Sequence, residues 1–251
     1  MSVNQFPTEV IGLPSDGKCY PESSPLSKGT VEIKYMTAKE EEILASQNLI
    51  KKGIVLDKLF ESIIIDKDIN ADDIILGDKN AIMLATRILG YGHEYRVEME
   101  DDFGRKNEVV VDLRRVQTRD VNTSALNREN LYTFTTPTTK NVIQFKLLTH
   151  GDEKKIDGEV KALQKMNKDA SFELTTRYRF MFVSVDGKND VGYINNFITN
   201  GFLTKDTKAF REYVKTISPD IEMQFEYENP ETGEKEVRPI PMGVGFFWPA
   251  E

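Results

Sequence analysis

Gly77-Asp-Lys-Asn-Ala-Ile-Met-Leu-Ala-Thr-Arg-Ile-Leu-Gly-Tyr-Gly-His-Glu-Tyr-Arg-Val-Glu98 decides the fold class. Asp78 stands where a helix cap is expected, and a surface cap of this kind is worth about 1 kcal/mol. Ile82, Met83, Leu84, Ile88 and Leu89 then form a broad apolar stripe at helical spacing. Gly90-Tyr-Gly92 stops the helix, and Glu94 to Glu98 reads as a strand. A partner strand, Glu108 to Leu113, follows across the acidic turn Glu100-Asp-Asp-Phe-Gly104, making a hairpin with a longer than minimal loop. A helix feeding an antiparallel hairpin indicates an α+β class, with helices packed on antiparallel hairpins.

Outward from this stretch, the same order returns. Upstream, the apolar segment Val55 to Ile65 ends at Asp66 before the Asp78 helix. Downstream, an apolar segment ends at Asp186, and Thr204 or Asp206 opens a helix over Lys205 to Ile217. A second hairpin then joins Glu222 to Tyr227 with Lys235 to Ile240 around Gly233. Either two helix–hairpin units coincide by chance, or the chain holds two related lobes. The expected organisation is an extended Pro/Gly/Ser-rich arm over 1–30, a first lobe over 31–117, an Asn/Thr-rich linker over 118–139, and a second lobe over 140–251. Within the first lobe Val31 to Tyr35 reads as a strand, and Thr37 with Glu40 three residues on reads as a capping box. Within the second, Val142 to Leu148 reads as a strand, Glu159 to Met166 as a charged helix, Asn195 to Thr199 as a short helix, and Leu174 to Val185 as a long strand rich in β-branched and aromatic residues.

The chain has 41 carboxylates against 33 Lys and Arg, a formal charge of -8. Arg114, Arg115 and Arg119, the densest basic cluster, are answered by Asp112 and Asp120, so no phosphate track is expected and no nucleic-acid partner. One cysteine excludes an internal disulfide and any multi-cysteine zinc site. No apolar run approaches the ~20 residues of a membrane span, and no secretory pattern opens the chain, so a cytoplasmic location without membrane association is expected.

Catalytic chemistry finds little support. His93 and His150 sit in turn-like settings and read as exposed side chains rather than general bases. Lys18 could lower the pKa of Cys19, but an arm offers neither pocket nor fixed base, so a plain thiol is expected. Asp66 to Asp73 lacks the glycine and terminal glutamate of a calcium loop. Walker, dinucleotide and histidine–zinc motifs are absent, and we expect no catalytic residue, metal or cofactor. The unusual feature is the closing Phe246-Phe-Trp-Pro249. These aromatics either fold into the chain's own core or anchor a partner. The Leu13-Pro14 and Tyr20-Pro21 arm invites the same two readings. The partner-binding candidates are therefore Leu13, Pro14, Tyr20, Pro21, Phe246, Phe247 and Trp248.

Leu13-Pro-Ser-Asp-Gly-Lys-Cys-Tyr-Pro21, Met36-Thr-Ala-Lys-Glu-Glu-Glu-Ile-Leu44, Gly77-Asp78, Arg87-Ile88, Gly90-Tyr-Gly92, Ser184-Val-Asp-Gly187 and Phe246-Phe-Trp-Pro249 resemble, in order and spacing, the baseplate hub proteins of T-even-like myoviruses. The resemblance runs with gaps from the first strand to the last residue. It implies a non-enzymatic structural or assembly role at the centre of a contractile bacteriophage tail, acting through other hub or tail proteins, with self-association also open. It places the chain in the host cytoplasm during assembly or in the virion baseplate. Some relatives carry paired cysteines in the two hairpins. Here Glu100, Asp101 and Asp102, and later Glu228, Asn229 and Glu231, occupy those places, so no structural zinc is expected. Two other classes stay open: a nucleic-acid-binding adaptor on degenerate zinc-ribbon hairpins, which the acidic balance opposes, and a hydrolase with two carboxylates converging in a cleft.

Overall fold

The computed structural model describes residues 6–100, 106–167, 171–228, 233–242 and 244–247. Its architecture is α+β, with helices among small antiparallel sheets. Strand β1 (Thr8–Gly12) pairs with β2 (Thr30–Lys34), Ile11 lying opposite Val31. The loop between them is not a surface arm. Leu13, Cys19, Tyr20 and Leu26 are buried in the core. The prolines and glycines do keep this loop from being a helix, yet tight turns such as Asp16 N–H to Leu13 C=O (2.8 Å) satisfy its backbone and let its apolar side chains enter.

Helix α1 (Ala38–Ala45) opens on the expected capping box: the Glu40 carboxylate accepts from the Thr37 N–H at 2.8 Å and hydroxyl at 2.7 Å. Glu40 is fully buried and also accepts from Lys34 Nζ and the Ser62 hydroxyl. Burial alone would raise its pKa, but the donors outweigh it and hold the carboxyl at about 2. A folded-state pKa below the unfolded value means stability present above about pH 4.5 and lost as pH falls towards 2. Wild type is therefore expected to lose about 2 kcal/mol more than Glu40→Gln between pH 5 and 2. Urea melts at the two pH values check this; equal losses would show that Glu40 carries no such linkage.

Helices α2 (Gln47–Lys52) and α3 (Val55–Ile63) follow, and the chain returns beside β2, with Ile64 bridged to Ile33. Helix α4 (Leu76–Tyr91) leads into β3 (Glu94–Glu100) and β4 (Lys106–Asp112), the expected hairpin. Its turn, with Asp101, Asp102 and Gly104, lies outside the described residues.

The expected linker contains the first strand of the second lobe. Strand β5 (Tyr132–Thr135) pairs with β6 (Val142–Phe145), and β7 (Phe182–Val185) lies on the other side of β6. Between them run α5 (His150–Met166) and α6 (Glu173–Met181). Helix α6 takes most of the expected long strand. Helical spacing outweighs β-propensity there, because Tyr178 and Met181 share a buried face and Glu173 pairs with Arg177 four residues on. The chain continues through α7 (Val191–Asn196), a π turn (Phe197–Gly201), α8 (Thr204–Ile217), β8 (Gln224–Glu228) and β9 (Lys235–Pro239). Residues 229–232 of the second hairpin turn, including Asn229 and Glu231, lie outside the described set. Phe210 of α8 centres an aromatic core, with ring centroids of Phe145 and Phe182 at 4.9 and 5.2 Å.

The two halves repeat one design. Each has a hairpin, then helices, a return beside the hairpin's second strand, a helix bearing a buried aspartate, and a second hairpin. Asp78 and Asp206 are not helix caps; Ile75 and Leu203 take those places, and each aspartate is the third residue of its helix. Asp78 reaches back 63 residues, accepting from Ser15 N–H at 2.9 Å and from the Ser15 and Tyr20 hydroxyls at 2.6 Å each. Asp206 reaches back 68 residues to Thr138 N–H at 2.7 Å, and accepts from Thr139 N–H at 3.2 Å and its hydroxyl at 2.9 Å. Each carboxylate thus clips a proline-bearing hairpin loop onto the first turn of a helix, where negative charge also suits the helix dipole. The two clips stand at matched places in the order of elements.

The closing segment belongs to the first lobe's core rather than to the second lobe. The short turn Val244–Phe247 brings Phe246 onto Tyr95 at 5.1 Å, edge to face. Arg87, 1 % exposed, donates to the carbonyls of Phe246 (2.9 Å), Gly92 (2.8 Å) and Glu94 (3.2 Å). The hydrophobic core is continuous across both lobes.

Candidate functional site: the seam between the lobes

The lobes meet where α4 begins beside the connection from β6 to α5. Leu76 N–H donates to Leu148 C=O (3.1 Å) and His150 N–H to Ile74 C=O (2.8 Å), so two backbone bonds cross the seam. Two glycines permit the approach. A Cβ on Gly77 would stand 1.8 Å from the Pro219 carbonyl oxygen, and one on Gly151 would stand 2.9 Å from the Asp72 Cβ. Gly77→Ala should therefore cost about 2–3 kcal/mol, because backbone rather than a flexible side chain must give way. A urea midpoint within error of wild type would show that the seam yields freely.

One side of the seam is an ion cluster on the first turns of α5. His150 Nε2 lies 2.6 Å from Asp57 Oδ1, and Lys154 Nζ lies 3.1 Å from Asp57 Oδ2 and 2.6 Å from Asp72 Oδ1. His150, expected to be exposed, is buried and edge-on to Phe60. Burial lowers its pKa, against the pull of Asp57, which favours a neutral ring with Nε2–H donating to Asp57. Asp57, Asp72 and His150 offer ligand atoms within 4.8 Å of one another. The Lys154 ammonium, however, already bonds both carboxylates and occupies the place a bound cation would take. The buried His150 Nδ1, which lacks a partner, is the ring nitrogen opposite the one facing Asp57. The donor set fits an internal ion cluster better than a divalent metal site. On the same turns Glu153 joins Lys79 of α4 to Arg177 of α6.

The other side is a groove of about 320 Å³. Ile75 and Leu76 of the first lobe and Leu147, Leu148, Met181 and Val214 of the second form its apolar wall. Its rim carries Arg119, Arg177, Arg211 and Lys215, with Asp220 as its carboxylate. Arg177 is held by Glu153 at 3.5 Å and Glu173 at 3.2 Å, and Arg119 by Glu222 at 2.9 Å. Arg211 donates to the Tyr178 hydroxyl at 3.0 Å, and among the described residues neither it nor Lys215 meets a carboxylate.

Most of the expected partner anchors lie elsewhere, inside the protein. Leu13, Tyr20, Phe246 and Phe247 are 6 %, 3 %, 1 % and 0 % exposed. As anchors they are therefore corrected: buried side chains already in contact with the core cannot fill a partner's pocket. Pro14 is half-buried, Pro21 is exposed, and Trp248 lies outside the described residues. Cys19 is buried rather than on an arm, and burial pushes its thiol up to about 11, which makes it a poor nucleophile at neutral pH. His93 is half-buried at the base of the first hairpin. The groove residues were not expected from the sequence. Arg211 and Lys215, four apart on an amphipathic helix, carried a signal; Arg119 and Arg177 become neighbours only through the fold. No helix among the described residues is long and apolar enough to cross a membrane.

Comparison with protein-family models, curated proteins and solved structures finds no match to this chain.

Proposed function

We propose that the chain is a non-enzymatic structural or assembly protein of a contractile bacteriophage tail, working through protein contacts in the baseplate hub. One observation carries the reading: most of the motifs that resemble hub proteins are bonded to one another in space. Asp78 clips the loop of Leu13 to Pro21, Arg87 holds the Phe246 carbonyl and contacts the Gly90-Tyr-Gly92 stop, and the Tyr91 hydroxyl of that stop donates to Glu41. The resemblance thus falls on contacts that define the fold, not on scattered surface letters. The ion cluster, closed by its own lysine, adds no support to a hydrolase.

Quantitative mass spectrometry of purified virions, set against the infected-cell lysate, tests the role. A stoichiometric ratio to tail proteins marks a permanent component. Abundance in the lysate with absence from particles marks an assembly factor, provided the chain co-purifies with hub intermediates there. Association with neither particles nor intermediates rejects the reading.

A further inference from the structure

We propose that the groove at the lobe seam docks an acidic peptide segment of another protein, one with a large apolar side chain flanked by Asp or Glu. The proposal rests on the reading of this chain as a protein-contact scaffold and names the chemistry of one partner.

Charge complementarity carries it. In a chain with a formal charge of -8, one small groove gathers four cations on its rim. Arg119 and Arg177 are fixed by carboxylates of the chain itself and shape the walls. Arg211 and Lys215 are different: they stand one helical turn apart on α8, exposed, without a carboxylate among the described residues. Like charges at this spacing repel one another on a helix, and an incoming carboxylate would relieve that repulsion. The Tyr178 hydroxyl steadies Arg211 through one guanidinium nitrogen and leaves the others to receive an anion. Below this pair the wall is apolar, with Leu147, Leu148 and Met181 beside Val214 of the same helix. A volume of about 320 Å³ takes a large side chain such as Leu or Phe. Apolar depth under a cationic rim selects an apolar anchor between acidic residues. A basic peptide would meet repulsion, and a simple anion would leave the apolar wall wet.

The probe is an array of capped twelve-residue peptides with Leu, Met, Phe or Trp at the centre and two Asp or Glu on each side. Matched arrays carry Lys flanks, or Ser at the centre. The full chain should bind acidic-flanked peptides, should lose them when the centre is Ser, and should ignore the Lys-flanked set. For the best acidic peptide, measured in solution, Arg211→Glu with Lys215→Glu should weaken binding at least about tenfold. Lys28→Glu, on the exposed surface near β2, should leave it unchanged, and all variants should melt near the wild-type temperature. Absence of acidic-flanked binding, equal binding of Lys-flanked peptides, displacement by a single-stranded oligonucleotide, or an unaffected double variant would overturn the proposal. The hub role is read separately. A double variant that still associates stoichiometrically with particles or hub intermediates, while no peptide binds, rejects the groove and leaves the hub role standing. Peptide binding without any tail association does the reverse.

Discussion

Asp78→Ala should destabilise the protein by about 3–5 kcal/mol, several times the cost of losing an ordinary helix cap. The carboxylate is fully buried and receives three hydrogen bonds, two of them at 2.6 Å. Truncation leaves the Ser15 N–H and two hydroxyls without an acceptor in the interior, and each such orphan costs about 1–3 kcal/mol. Burial raises the carboxyl's pKa against the pull of those donors, but alanine removes the acceptor in either protonation state. The damage also spreads, because the Tyr20 oxygen accepts from Ile75 N–H at 3.1 Å and so orients the entry to α4. Asp206→Ala removes the corresponding clip and should also cost more than a surface cap, by a similar route. Urea unfolding followed by circular dichroism measures both. A loss near 1 kcal/mol for Asp78→Ala would show that the Ser15 and Tyr20 donors find other acceptors.

Arg87→Met should cost about 3–5 kcal/mol as well, although methionine fits an apolar surrounding. Three backbone carbonyls converge on the guanidinium, and no thioether can donate to them. Arg87→Lys should recover less than half of the loss, since one ammonium cannot match the planar fork that spans the three acceptors. The two effects can be read apart from global melting by brief chymotrypsin treatment. Cleavage beside Phe246 and Phe247 should rise first in Arg87→Met, as the closing segment leaves Tyr95. Protection equal to wild type would mean that aromatic packing alone retains the segment.

What the sequence made legible was local. The Thr37–Glu40 box, the stripe from Ile82 to Leu89 and both hairpins follow from spacing and turn chemistry confined to a few residues, and the α+β class follows from them. The failures share one cause: partners far away in sequence. Leu13 and Tyr20 sit in a segment with every mark of a loop, yet a carboxylate 63 residues on folds that loop into the core. His150 opens a helix beside a glycine, and only α3 brings Asp57 to it. Leu174 to Met181 is rich in residues that suit strands, and burial of Tyr178 beside Phe210 made it a helix. The groove was least legible of all, since its walls come from both lobes and its charges look, in the sequence, like ordinary solvated residues.

The grip of Arg87 on the Phe246 carbonyl joins positions 159 residues apart. A ribosome extends a chain by about 5–20 residues per second, so roughly 8–30 s pass between synthesis of the guanidinium and synthesis of its acceptor. For that time the emerging first half holds a cation facing an unfilled slot, and Tyr95 lacks the ring that will cover it. The first half cannot reach its final state on the schedule of its own translation. The nascent protein therefore carries a temporary opening that the turn Val244–Phe247 seals, and a synthetic peptide spanning Ile240 to Phe247 would be the natural competitor for it.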